Sequence, residues 1–569
     1  MDSKLRPMTG RMSRRRLVRN ATLGGGTLAL AATLACGSRK GAQPSSSGGG
    51  ASGPQTAKRG GTMVRASTNQ FDANLDPHPL QPVYTSYYSL FYQTLLQLNP
   101  RTAALEPQLA LKWEQPSPTE YLFHLAPNVK FHNKPPANGR PMTADDVVYS
   151  LNRVRTNDPR FQNRLLFSSI DKIEPVDKVT VRVTTKQPDV STLTNLASTS
   201  AAILAPEVVD KAGKFADPDT AVGTGAFILK EHLQNQSSTV VRNPDYWKPG
   251  LPYFDSIKSQ YFADSNTTYS AFLAGQVVVA CNALPGPDAK KTFDEQAGKP
   301  YAAEWYSDIS YTTVQANVQR KPFDDPRVPK ALRLLIDHDE ASNSWAVTWF
   351  GRGYASAYLP AGMQDWDLSQ EEYKKYLEFK QPKDDAVKEA LSLLAAAGFS
   401  KDRPLKFPLT GLNSSDFGKA EAENHQAQIN KFGQGVVQVP NLQLYLLAVQ
   451  NQVLAEGNFD YMSSNAVPAQ PYDVDSWFTT FYHSGGGRNN GKYSDPKLDG
   501  LIDKQRTIFD TNQRKAAVKD ILRYMMDNAP YTAWSGRYLF NLESRKVHNW
   551  APEGISTTWG YNYEQVWME

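Results

Sequence analysis

The residues able to do chemistry are few and scattered in this chain of 569 residues. Asp145 and Asp146 stand side by side in "MTADDVVYSLNRV", a pairing that general acid–base work would use. Their setting points elsewhere. Thr143 as N-cap with two acids in the first turn suits the positive end of a helix whose apolar side carries Val147, Val148, Leu151 and Val154. Gly223 and Gly225 in "AVGTGAFILKEHL" lack the third glycine and the following helix of a phosphate cradle, so they imply positive φ or a close backbone approach. The 8 histidines occur singly, with no H-E-x-x-H or C-x-x-C grouping, which sets aside a zinc site. No G-x-S-x-G element supports the rival of another class, an exported hydrolase. Cys281, in the β-like run "AGQVVVACNAL", reads as a buried free thiol. No catalytic residue, metal or cofactor is expected.

A second group suits binding. Tyr472 and Trp477 in "QPYDVDSWF" offer an aromatic wall to an apolar group or a cation, or else pack within the protein. Arg488, Asn489 and Asn490 follow three glycines that let a loop approach a ligand; a solvated turn explains them equally. Asp473 stands where it would cap the helix begun by "DSWFTTF".

These residues need a scaffold, and the patterning supplies a mixed α/β one. "LALKWEQPSPTEYLFHLAPNVKFH" alternates apolar and polar residues in two runs, predicting a β-hairpin or meander. "VTVRVTT" and "STVVRNPDYW" read as strands. In "YTSYYSLFYQTLLQLNP", Tyr84, Tyr88, Phe91 and Leu95 fall at helical spacing and predict a buried aromatic stripe on a helix. "PFDDPRVPKALRLLIDHDEA" and "DDAVKEALSLLAAAGF" have the starts and apolar faces of helices, the second stopped by Gly398. "DTNQRKAAVKDILRYMMDNAP" predicts a long amphipathic helix with Ile521, Leu522, Met525 and Met526 inward.

The first residues carry an address. Ser13 to Cys36, "SRRRLVRNATLGGGTLALAATLAC", is basic, then apolar, then closed by a cysteine, and is too short and glycine-diluted for a permanent span. Arg14 and Arg15 ahead of a mild apolar core resemble the twin-arginine export signal. Cys36 after Thr33-Leu34-Ala35 resembles a bacterial lipobox, where the cysteine is acylated; the alternative is a residue near an ordinary cleavage site. Gly37 to Lys58 is a flexible leash of Gly, Ser, Ala and Pro. Residues 1–35 hold seven basic residues and one acid, so removing them leaves 62 − 7 = 55 basic against 57 − 1 = 56 acidic residues. A near-neutral body implies no nucleic-acid partner. Cys36 and Cys281 are the two cysteines, so lipidation of the first leaves no disulfide.

Taken in order, "LEPQLALKWEQ", "YLFHLAPNVKFH", "GRPMTADDVVYSL", "AVGTGAFIL", "RNPDYW", "PFDDPRVPKALRLLID", "LLAAAGF" and "YDVDSWFTTFYHSGGGRNNGKYSDPKLDGLI" resemble the family 5 extracellular solute-binding proteins of ABC importers, a group that includes oligopeptide-, dipeptide- and nickel-binding proteins. The resemblance spans nearly all of the body. It departs from the family pattern in a lengthened turn at Lys134 to Asn138, in Gly275-Gln276-Val277-Val278, which lacks the usual acid, and in Asp473-Val474-Asp475, where Asp-Pro-Asp is frequent. It implies a two-lobed, hinged, periplasmic-binding-protein-like α/β fold with a small subdomain. The divisions expected are 1–35 export signal, 36–58 tether, 59–104 first part of lobe 1, 105–220 small subdomain, 221–311 second part of lobe 1, 312–534 lobe 2 and 535–569 the return to lobe 1.

The resemblance also implies a function: a monomeric, extracytoplasmic receptor that is no enzyme, tethered to the membrane by its lipid, closing on peptides and delivering them to the membrane subunits of an ABC permease. An oligosaccharide, an opine or a nickel chelate is the alternative solute. Peptide-binding relatives hold the ligand ammonium with an acid in the segment corresponding to "QPYDVDSWF", which implies Asp473 first and Asp475 second. Asn74 to Asp76 correspond to a segment that lines the cleft in relatives.

Overall fold

The computed structural model describes residues 56–67, 75–79, 85–99, 102–158, 160–209, 215, 221–233, 235–262, 264–281, 291, 295–345, 353–413, 416–466, 473–550 and 563–569, with the backbone alone at 85–86, 265, 281, 304–310, 344–345, 416–417, 447–448, 464–466 and 534–540. Arg14, Arg15, Cys36, Asn74 and Tyr472 lie outside them, and Ala57–Glu569 forms one compact unit.

Strand and helix alternate along this unit, as the patterning predicts. "EYLFHL" alternates half-buried and buried residues over Glu120–Leu125, and it pairs antiparallel with Ala110–Ser117 on one side and Thr180–Thr185 on the other. Ile170–Asp177 completes a four-stranded antiparallel sheet. One face of this sheet is covered by the helix Ala144–Val154, whose Val147, Leu151 and Val154 are buried while Val148 is half-buried against the same core. The helix begins with a capping box: the Asp146 carboxylate accepts the Thr143 backbone N–H at 2.8 Å. Arg140 also donates to Asp146, at 2.7 and 3.0 Å, so this acid is structural.

Residues from Leu95 to Val222 enclose the small core around that sheet. The first lobe draws its core from residues between Met63 and Tyr92, between Ala202 and Val279, and between Val547 and Val566. The second lobe has two large cores, one from Val314 to Tyr461 and one from Tyr311 to Ala533, with a small cluster of Leu454, Phe459 and Met462. Here lies the long helix Thr511–Asn528, capped by Asp510 on the Gln513 N–H at 2.8 Å, with Ile521, Leu522, Met525 and Met526 buried as its period predicts. Gly398, at φ +92°, ends the helix Asp384–Ala396, its N–H bonding back to Ala395.

Among the described residues one eleven-stranded sheet runs through both lobes. Its middle is a pair of long antiparallel strands, Tyr301–Ala316 and Tyr531–Ser544. At one end Tyr301, Ala303 and Leu542 pack with Phe272; at the other Val314 and Ala316 pack in the second lobe. The register of the pair shifts between Ser307 and Tyr311 and again before Thr313, between those two ends. Such breaks loosen a ladder and bend it, and this one sits between the two packed ends of the strand pair.

The aromatic stripe departs from its expected form. The helix is a single turn, Thr85–Tyr88, and Phe91 and Leu95 are buried outside it. Backbone bonds explain the difference. The Leu90 and Phe91 carbonyls, which a helix would use internally, accept the Phe227 and Gly225 N–H groups at 3.1 Å each. Gly223 and Gly225 serve this approach rather than a positive φ: a Cβ on Gly223 would lie 1.9 Å from the Phe91 carbonyl oxygen.

Two buried histidines complete the joint between first lobe and small subdomain. His132 Nε2 donates to the Gly225 carbonyl at 3.1 Å, and its Nδ1 faces the Gly223 N–H at 3.4 Å. His78 Nε2 donates to Ala202 at 2.9 Å, while its Nδ1 faces the Arg153 guanidinium, also at 2.9 Å. In both rings the second nitrogen faces a donor, and burial disfavours a second proton; at His132 the Gly225 and Ala221 carbonyls oppose this only in part. Burial lowers each pKa from 6.5 to about 4. The unfolded chain therefore binds more protons between pH 6.5 and 4, and stability present at pH 7 is lost on acidification, about 3 kcal/mol for each ring. Asp367 and Asp475, pushed up to about 6 by burial, act oppositely below pH 6. The test is accordingly a difference: His132→Asn lowers stability at pH 7 but flattens the denaturation free energy between pH 6.5 and 4, whereas a curve parallel to the parent's contradicts the assignment.

Candidate functional site

The short helix Val474–Trp477 carries three of the residues read as ligand contacts. Asp473 is its N-cap, accepting the Asp475 N–H at 3.0 Å. Its carboxylate is also the partner of Arg514, whose Nη2 donates to Oδ1 at 2.5 Å and Nη1 to Oδ2 at 3.5 Å. Thr194 donates to the same carboxylate at 3.3 Å. Burial alone would raise the pKa of Asp473; the Arg514 guanidinium overrides this and holds the carboxyl below the usual range. The acid expected to stand free for a ligand ammonium is thus engaged inside the protein, and its capping role is the one the structure displays.

Asp475 is fully buried. Its Oδ1 accepts Gln505 at 2.8 Å and Thr479 at 2.9 Å, and its Oδ2 lies 3.5 Å from Nε of Arg506. Burial, with Asp473 and Asp189 nearby, pushes its carboxyl up to about 6 against the pull of Arg506 and Arg514. Arg506 in turn donates to Asp189 at 2.8 Å and to Ser168 at 3.2 Å. Three carboxylates and two guanidiniums therefore share one dry region, formed where the small subdomain meets the second lobe. Neither acid is a free ligand contact in this arrangement.

Trp477 is buried between Tyr311 and Phe481, with ring centroids at 4.7 and 5.1 Å, so the packing alternative holds for it. Asp76 is buried as well, and Arg153 grips both its oxygens, at 2.9 and 2.5 Å. This ion pair ties the first lobe to the helix of the small subdomain.

The three glycines do allow a close approach, but to protein. A Cβ on Gly487 would lie 2.1 Å from the Gln162 carbonyl oxygen of the small subdomain. Arg488, next in line, is half-buried with its guanidinium 5.0 Å from the Phe481 ring centroid, and burial lowers its pKa to about 10. Asn489 is a buried brace, donating to the Tyr493 carbonyl at 2.6 Å, whereas Asn490 stays half-buried. Sequence reasoning missed Asp189, Ser191, Arg506 and Arg514, which no local motif marks; Ser191 and Arg514 meet across 323 positions.

Residues 104–489 match the family model of the bacterial extracellular solute-binding proteins, family 5, middle region. The chain is 28% identical over 476 residues to the periplasmic oligopeptide-binding protein OppA of Salmonella typhimurium, covering 80% of this chain and 83% of that protein. Among solved structures it superposes on Haemophilus influenzae OppA in complex with the peptide RPPGFSPFR with a TM-score of 0.77 at 19% identity, covering 90% of this chain and 100% of the other. It superposes on AgaA of A. tumefaciens in complex with agropinic acid with a TM-score of 0.73 at 23% identity, covering 90% and 99%. The two-lobed architecture, the match across more than half of the chain and the ordered motifs converge: this chain belongs to the family 5 bacterial extracellular solute-binding proteins.

Proposed function

We propose that the protein is a lipid-anchored, extracytoplasmic receptor that captures peptides between its two lobes by hinge closure and delivers them to the membrane subunits of an ABC permease. The observation that carries the mechanism is the pair of long strands shared by both lobes, with its register breaks between the lobe cores. A ligand touching both lobes in the closed form alone shifts the population toward that form. Peptides are favoured because the relative similar over 80% of the chain is named an oligopeptide-binding protein. The anchor rests on the short apolar run before Cys36 and the leash after it. Among the described residues no helix is long and apolar enough to cross a membrane. The residues read as solute contacts, Asp473, Asp475, Tyr472, Trp477, Arg488, Asn490, Asn74 and Asp76, keep that proposal; Asp473, Asp475, Asp76 and Trp477 also have partners within the protein.

Thermal unfolding tests the solute class. A pool of synthetic di- to pentapeptides at 100 times the dissociation constant adds about 2.7 kcal/mol of stability, enough to raise the midpoint by about 2–3 °C. The same rise with agropinic acid or an oligosaccharide panel, and none with peptides, keeps the receptor and overturns the peptide assignment.

A further inference from the structure

We infer that the buried Asp189–Arg506 ion pair between the small subdomain and the second lobe, with the hydrogen bonds beside it, forms a latch that holds the closed state, made and broken as the receptor shuts and opens. The inference rests on the hinge-closure reading proposed above. It turns on an asymmetry in how the small subdomain is attached. Toward the first lobe its grip is permanent in kind: the chain enters from that lobe and returns to it, His132 donates to the Gly223 and Gly225 carbonyls, and Arg153 holds Asp76 with both arms. Toward the second lobe it has no covalent continuity, and its four-stranded sheet is separate from the large one. What joins them is a docking contact, centred on Arg506 against Asp189, with Arg514 donating to Ser191 and Thr194 donating to Asp473. A backbone bond, Val190 N–H to the Arg506 carbonyl at 2.9 Å, reinforces it.

If the second lobe swings about the strand pair while the small subdomain stays with the first lobe, this contact must open. Opening separates Asp189 from Arg506 and re-solvates both, while Asp473–Arg514 and Asp475–Arg506 stay together within the second lobe, so the closed state holds one more ion pair in a water-poor setting. The latch then sets the fraction of closed receptor without touching the solute.

Two measurements on the ligand-free protein read the latch, so a failure of the peptide assignment leaves their result intact. Asp189→Asn is expected to enlarge the radius of gyration in small-angle scattering. It should also speed amide exchange across residues 187–195 by about tenfold or more, while the strand Thr180–Thr185 keeps the parent's protection. Ser191→Ala, which removes the hydroxyl that accepts from Arg514 and bonds Asp473, should move both readings the same way by about fivefold in exchange, and carries the test should the first variant fail to fold. Unchanged scattering and exchange, or protection lost equally from Thr180–Thr185, would show a fixed structural interface and overturn the latch.

Discussion

Replacing Gly223 with alanine is expected to cost on the order of 3 kcal/mol or to prevent folding. The added carbon would sit 1.9 Å from the Phe91 carbonyl oxygen and 2.7 Å from the Tyr92 ring. Neither neighbour can give way cheaply. The Phe91 carbonyl accepts Gly225, the adjacent Leu90 carbonyl accepts Phe227, and the Gly223 carbonyl accepts the His132 N–H at 2.8 Å, so a shift strains three backbone bonds at once. Gly500 provides the opposite case. It lies inside the helix Pro496–Arg506, where an added methyl would meet nothing within 4 Å, and Gly500→Ala should stabilise by about 0.5–1 kcal/mol through the lower entropy of the unfolded chain. Urea denaturation of both variants decides the matter; equal effects would mean that the close approach at Gly223 carries no weight.

Arg514→Met should be as severe, about 3–5 kcal/mol, because it leaves Asp473 buried without its counter-charge. Replacing Asp473 at the same time, as Asp473→Leu with Arg514→Met, removes the orphan charge and should recover part of the loss. The pair also separates two accounts of Asp473. As the partner of Arg514 it is a stabilising group in the ligand-free protein, so Asp473→Asn lowers the urea midpoint before any solute is added. As an ammonium anchor it would leave that midpoint untouched and abolish only binding.

Local chemistry was legible in the sequence, and long-range pairing was not. The Thr143 capping box and the Asp510-capped helix are written in residues three or four apart, where one period of backbone decides the outcome. The glycines at 223 and 225 announced a close approach, but its target, Phe91, lies more than a hundred residues earlier. The aromatic stripe misled because helical spacing predicts burial as well as helix: Phe91 and Leu95 are buried, yet tertiary backbone bonds take the carbonyls a helix needs. Asp473 shows the same limit for function. Its capping was readable from the helix that follows, whereas Arg514 at the far end of the pairing carries no signal beyond being one arginine among many.

The central claim is that solute closes two lobes about the strand pair Tyr301–Ala316 and Tyr531–Ser544. Small-angle scattering of the protein with and without the di- to pentapeptide pool addresses it most directly. A smaller radius of gyration that saturates with peptide, in parallel with the rise in unfolding midpoint, is the predicted result. Binding that saturates with no contraction would contradict hinge closure, and the register breaks at Ser307 to Thr313 would then be features of a rigid sheet.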